Sequence, residues 1–175
     1  AGITAEENLA NAKAEFARVQ SELYVVSRQL WPKYFATQVL PPDDADGRRE
    51  TVTKIINAVN QEHGDVANLV SDARATVESI KAFIRSRDYL TLPNPDNCNV
   101  VEMPEFRRGN SLAYLDNAPP LDPKAVSIYA VSPPPADWSP EQVRSFLEEY
   151  NSHMLKILTI HEGYPGHYVQ LEYAN

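Results

Sequence analysis

The chain has 175 residues, 43% of them hydrophobic and 23% charged, an ordinary composition for a single globular domain with a core of its own. Sixteen basic residues against 24 acidic ones give a net charge of −8, and no basic run exceeds the pairs Arg48-Arg49 and Arg107-Arg108, which argues against nucleic acid as a partner. One cysteine, Cys98, excludes an internal disulfide and a cysteine-rich metal site and leaves the compartment open, while no run approaches the roughly 18 apolar residues of a membrane span and Ala1-Gly2-Ile3 has no signal-peptide character.

Thr4 and Glu7 form a capping-box pattern, and Ala5, Leu9, Ala12, Phe16, Val19, Leu23, Val26 and Leu30 follow at alternating steps of four and three. This predicts one long helix ending near Trp31, because Pro32 disfavours helical angles in the residue before it. The apolar seam suits a coiled-coil partner, but packing on the next helices of the same chain is the simpler expectation. Leu40 to Gly47 is turn chemistry. Its acids Asp43, Asp44 and Asp46 lack the spacing of a calcium loop and read as caps. A second helix carries Val52, Ile55, Ile56 and Val59 and closes at His63-Gly64. Asp65 is placed to cap a third, which buries Val66, Leu69, Val70, Ala73, Val77, Ile80 and Ile84 and runs to about Arg87.

From Leu92 to Asp96 prolines and turn residues replace helical patterning. Three short strands are expected near 99–103, 111–115 and 125–131, punctuated by Pro104, Gly109, Pro119, Pro120 and Pro133-Pro134-Pro135, so the sheet is small. Ser139-Pro140-Glu141-Gln142 then combines an N-cap, a proline at the first helical position and a Gln able to complete the box. Val143, Phe146, Leu147, Tyr150, Met154, Ile157, Leu158 and His161 fall on one face of the helix this predicts, which puts His161 in its inward row. The chain thus reads as mainly α, with long antiparallel helices and a small three-stranded sheet before the last one. A helical layer spans residues 1–92, a Pro-rich segment 93–138 and the last helix 139–175.

The chemistry is concentrated at the end, in Thr159-Ile160-His161-Glu162-Gly163-Tyr164-Pro165-Gly166-His167-Tyr168-Val169-Gln170. In the zincin pattern His-Glu-x-x-His, two imidazoles four residues apart share a zinc ion and the Glu acts on its water. Here the spacing is six, which on an unbroken helix sets the two rings roughly 120° apart. Pro165 has no N–H to donate and Gly166 accepts unusual backbone angles, so a break between them can bring His167 back beside His161. Gln170 would share the side of His167 on a resumed helix, as support for a ligand or as packing, and Tyr164 flanks the break.

His-Glu-x-x-Pro-Gly-His-x-x-Gln resembles the signature of the bacterial family catalogued as domain of unknown function 885, whose members look like zinc metallopeptidases of the gluzincin type. Met103-Pro104, Ala113-Tyr114, Pro119-Pro120, Ser127-Ile128-Tyr129 and Trp138 agree with it, so the resemblance is specific over about residues 100–171. It implies a larger gluzincin-like fold, Zn²⁺ held by His161 and His167 with a third ligand, usually a Glu, from a later helix, Glu162 as general base, and a peptide substrate. It also implies that a chain stopping at Asn175 is a segment whose partner is the remainder of its parent, inactive alone and weak in zinc. In such folds an edge strand pairs with extended substrate. Residues 125–131 with Tyr129 are the candidate, although that strand can equally just complete the sheet. Two rival readings stay open: a helical binding segment with an incomplete metal site, and a metallohydrolase of small amides or esters.

Overall fold

The computed structural model describes residues 2–108, 111–122 and 124–174; the expected break at Gly109 and the chain end at Asn175 lie outside the described residues. It is mainly helical with a three-stranded sheet, and it divides into two compact units, Ala1–Val59 and Asn60–Asn175. The helix expected to complete a layer over 1–92 lies instead in the second unit, against the sheet.

In the first unit, α1 (Ala5–Tyr34) starts from the Thr4–Glu7 capping box, and α2 spans Ala45–Asn60. Instead of stopping near Trp31, α1 runs one turn further with Pro32 inside it. The proline costs one ladder bond, while Trp31 is buried and donates its Nε1–H to the Gln38 carbonyl at 3.0 Å. The buried side of α1 is Tyr24, Ser27 and Trp31, with Gly47, Thr51 and Ile55 buried on α2. The apolar seam of α1 is not buried as expected, since Leu9, Phe16, Val19, Leu23 and Val26 are between 41% and 66% exposed. Of the acids expected as caps, Asp44 is one, accepting from the Gly47 N–H at 2.8 Å, whereas Asp43 pairs with the Arg48 side chain at 2.6 Å and Asp46 lies inside α2, paired with Arg49 at 3.3 Å.

In the second unit, α3 (Leu69–Arg87) is preceded by a 3₁₀ turn at Val66–Asn68, and Asp65 makes no side-chain cap there. Strands β1 (Cys98–Glu102), β2 (Ala113–Asp116) and β3 (Ser127–Val131) form a sheet of order β1-β3-β2, with β3 parallel to β1 and antiparallel to β2. The strand nominated to pair with substrate is therefore the central one, hydrogen-bonded on both sides. Strand order depends on pairing between distant segments, and a local apolar run does not encode it.

The single helix expected from Ser139 is two. The capping box forms as read and starts α4 (Pro140–Glu149), but Tyr150 ends that helix and α5 (Ser152–Glu162) begins on Asn151. Asn151 is buried, and its side-chain oxygen accepts from the N–H groups of His153 at 3.0 Å and Met154 at 3.2 Å, an Asn cap that stops one helix and starts the next. The new register turns Leu155 and Thr159 inward and leaves Met154, Ile157 and His161 exposed, so His161 is not in a buried row. The last helix, α6, spans His167–Ala174. Ala73, Val77, Ile80 and Ile84 of α3 share one core with Tyr129 and Val131 of β3, Leu155 of α5, Tyr164, and Tyr168 and Val169 of α6.

Candidate metal site

Helix α5 ends at Glu162 and α6 starts at His167, so the six-residue spacing is absorbed by a turn over residues 163–166. The Thr159 carbonyl accepts from the N–H groups of both Gly163 at 2.9 Å and Tyr164 at 3.2 Å, which closes the helix. The Tyr164–Pro165 peptide bond is cis. Gly166 then passes so close to the helix end that a Cβ there would sit 1.9 Å from the His161 carbonyl oxygen and 2.3 Å from that of Ile160, and only glycine fits. The Gly166 carbonyl receives the Gln170 N–H at 3.0 Å and opens α6.

This turn brings the two imidazoles together. Their ring centroids are 4.6 Å apart with planes at 78°, and both residues are exposed to solvent. Two imidazoles sharing one tetrahedral zinc at about 2.0–2.1 Å have centroids roughly 5 Å apart. The observed 4.6 Å is close to that separation; among the described residues no third His, Cys, Asp or Glu joins the pair in a metal-binding cluster.

Glu162 is half-buried, and its Oε2 accepts from the Leu115 N–H of β2 at 3.2 Å. A carboxylate at a helix C-terminus faces the negative end of the helix dipole, and this donor offsets that disadvantage. Leu115 can donate because β2 is an edge strand. Leu112 accepts from Ser132 at 2.6 Å, so in the antiparallel alternation Leu112, Tyr114 and Asp116 face β3 while Ala113 and Leu115 turn their N–H and C=O groups outward.

The remaining sequence candidates divide. Gln170 is exposed one turn beyond His167. Tyr129 is fully buried and cannot touch a substrate; its hydroxyl lies 3.0 Å from Thr159 Oγ1. Because Thr159 spends its own proton on the Leu155 carbonyl at 2.7 Å, Tyr129 is the donor, and the bond fixes α5 on β3 two residues before His161. Burial first, and then the Glu162 charge, push the Tyr129 hydroxyl up to about 12, against the effect of its bond to Thr159. Tyr164 is likewise buried, and its hydroxyl donates to Asp96, so it faces the core and not a substrate. Sequence reading missed Leu115, Thr159, Asp96 and Lys81. Lys81 alone left a signal, as a lysine on the apolar face of α3, four residues after Val77.

A mainly helical chain with a small mixed sheet, carrying two converged histidines beside a strand-held glutamate, defines the class. The chain belongs to the family described as bacterial protein of unknown function (DUF885), which it matches over residues 1–175. It is also similar to the solved structure of a protein of unknown function from Shewanella oneidensis, described as a candidate lipoprotein, with 32% identity and a TM-score of 0.81. That match covers 100% of this chain and 30% of the Shewanella chain, so the chain spans under a third of its solved relative. No curated protein is significantly similar to it. Among the described residues no helix is long and apolar enough to cross a membrane.

Proposed function

We propose that this segment carries the metal-binding and general-base part of a zinc-dependent hydrolase that cleaves peptide bonds. The observation that supports the reading is the convergence of His161 and His167 to a centroid separation of 4.6 Å across a turn that only Gly166 permits, next to a glutamate held on a strand edge. His161 and His167 would hold the ion through one ring nitrogen each, and a third protein ligand, by the family resemblance a Glu on a later helix, would complete the set. When bound, zinc acts as a Lewis acid that polarises a carbonyl and makes water acidic near neutral pH.

Glu162 supplies the proton transfers. Its carboxylate takes a proton from the attacking water and returns it to the departing amine, a general-base and then general-acid role. The bond from Leu115 fixes one carboxylate oxygen and leaves the other to receive the proton. The substrate-pairing strand in this reading is β2 and not β3, because β2 presents the outward N–H and C=O groups of Ala113 and the C=O of Leu115 beside Glu162, whose carboxylate takes the Leu115 N–H. The other edge, β1, has its Val100 carbonyl covered by Arg74, whose Nε and one terminal nitrogen donate at 3.0 and 2.8 Å.

The experiment is metal analysis and peptide hydrolysis by a polypeptide of the full family length, beside its His161→Ala and His167→Ala variants. Zinc and hydrolysis lost together in both variants support the reading. Hydrolysis that survives either substitution refutes it.

A further inference from the structure

We propose that Lys81, Asp96 and Tyr164 form a brace that sets the distance between the His161 and His167 imidazoles, acting as positioning residues for the pair; the proposal rests on the ligand reading above only for its metal arm. Of the turn residues, Tyr164 is the one that sends a large side chain into the core, where it is 1% exposed, while Pro165 stays at the surface. Its hydroxyl donates to Asp96 Oδ1, and the other Asp96 oxygen pairs with Lys81 Nζ at 2.6 Å. Lys81, from the buried face of α3, also pairs with Glu78 at 2.9 Å and stands 4.8 Å from the centre of the Tyr164 ring.

The same loop holds the far side of the turn. Tyr168, the residue after His167, is fully buried; its hydroxyl accepts from the Asn97 N–H at 2.9 Å, and its ring lies 5.1 Å from that of Tyr164. Consecutive residues Asp96 and Asn97 therefore grip the chain between the two histidines and just beyond the second. They lead directly into β1, whose register against β3 is fixed from Cys98 opposite Ser127. The brace is electrically self-consistent. Burial works to raise the Asp96 carboxyl, but the bonds from Lys81 and Tyr164 outweigh it and hold the group below the usual range; burial and the bond to Asp96 push the Tyr164 hydroxyl up, so it remains a donor. A buried lysine and a buried tyrosine meeting at a partly exposed aspartate are costly as core filling, and a fixed turn geometry is what their mutual hydrogen bonds supply.

The test uses two readouts, ring-to-ring proton contacts between His161 and His167 by NMR in this chain and zinc affinity by titration in a polypeptide of full family length. Tyr164→Phe keeps the ring and removes only the hydroxyl; Asp96→Asn keeps the shape and weakens both bonds. Ile84→Val thins the same core without touching the brace. Tyr164→Phe should abolish the ring contacts and weaken zinc roughly tenfold or more, the usual loss when a group supporting a metal ligand is removed. Asp96→Asn should shift both readouts in the same direction by less, and it carries the test if Tyr164→Phe does not fold. Ile84→Val should lower the melting temperature while retaining both. Ring contacts and affinity unchanged in Tyr164→Phe, or lost equally in Ile84→Val, would overturn the brace. If the wild-type chain shows the ring contacts and loses them in Tyr164→Phe, and yet the polypeptide of full family length binds no zinc, the brace stands and the metal reading falls.

Discussion

Gly166→Ala is the substitution on which the turn depends most directly. An added methyl would lie 1.9 Å from the His161 carbonyl oxygen and 2.3 Å from that of Ile160, whereas side-chain carbons are essentially never found within 3.0 Å of such atoms. The methyl must therefore retreat by at least 3.0 − 1.9 = 1.1 Å from the backbone of the residue that carries one of the imidazoles. Overpacking of this kind costs about 1–3 kcal/mol, and the upper part of that range applies because both atoms struck are backbone. At about 2–4 °C per kcal/mol for a chain of this size, the melting temperature should fall by roughly 5–10 °C. The relief has to come from moving α6 away from the end of α5, which opens the 4.6 Å ring separation. Thermal unfolding followed by circular dichroism gives the first number and NMR ring contacts the second. A melting temperature unchanged to within about a degree, with the rings still in contact, would refute the close-approach reasoning.

Tyr129→Phe should cost about 1 kcal/mol in urea unfolding at neutral pH, one buried hydrogen bond, since Thr159 keeps its own bond to Leu155. It should also flatten the alkaline limb of the stability profile. The Tyr129 hydroxyl is raised from 10.0 to about 12 in the fold, so its contribution is complete below pH 10 and is lost as pH rises through 12, an effect of about 3 kcal/mol. An identical alkaline limb in both proteins would contradict this. Asn151→Ala removes the cap of α5 and should destabilise by about 0.5–2 kcal/mol, checked by the urea midpoint, with Asn151→Asp expected to retain most of it. Glu162→Gln, in a polypeptide of full family length, should keep its zinc and lose about 10²–10⁴-fold in peptide turnover. Full activity in that variant would take Glu162 out of the mechanism.

What could be read in advance followed from short-range chemistry. The boxes at Thr4–Glu7 and Ser139–Gln142 both form, because a cap needs only residues three apart. The break at Pro165-Gly166 was legible for the same reason, one residue lacking a donor and the next lacking a Cβ. The split at Asn151 carried a local signal as well, but the apolar period running from Val143 through Ile157 masked it, and a strong cap overrode the period. The order β1-β3-β2, the Leu115 bond to Glu162 and the brace from Asp96 were not legible, since each joins segments well separated along the chain and depends on the fold being complete. Tyr129 and Tyr164 were found as residues near the site, but burial assigns them to its support and not to a substrate.

The claim that both histidines serve one ion is tested most directly by adding one equivalent of Cu²⁺, which binds nitrogen sites more tightly than Zn²⁺, and counting coordinated imidazoles by pulsed electron paramagnetic resonance. The wild-type chain should show two, and His161→Ala and His167→Ala should each show one. A single imidazole in the wild type, or a count of two surviving in either variant, would contradict a shared site.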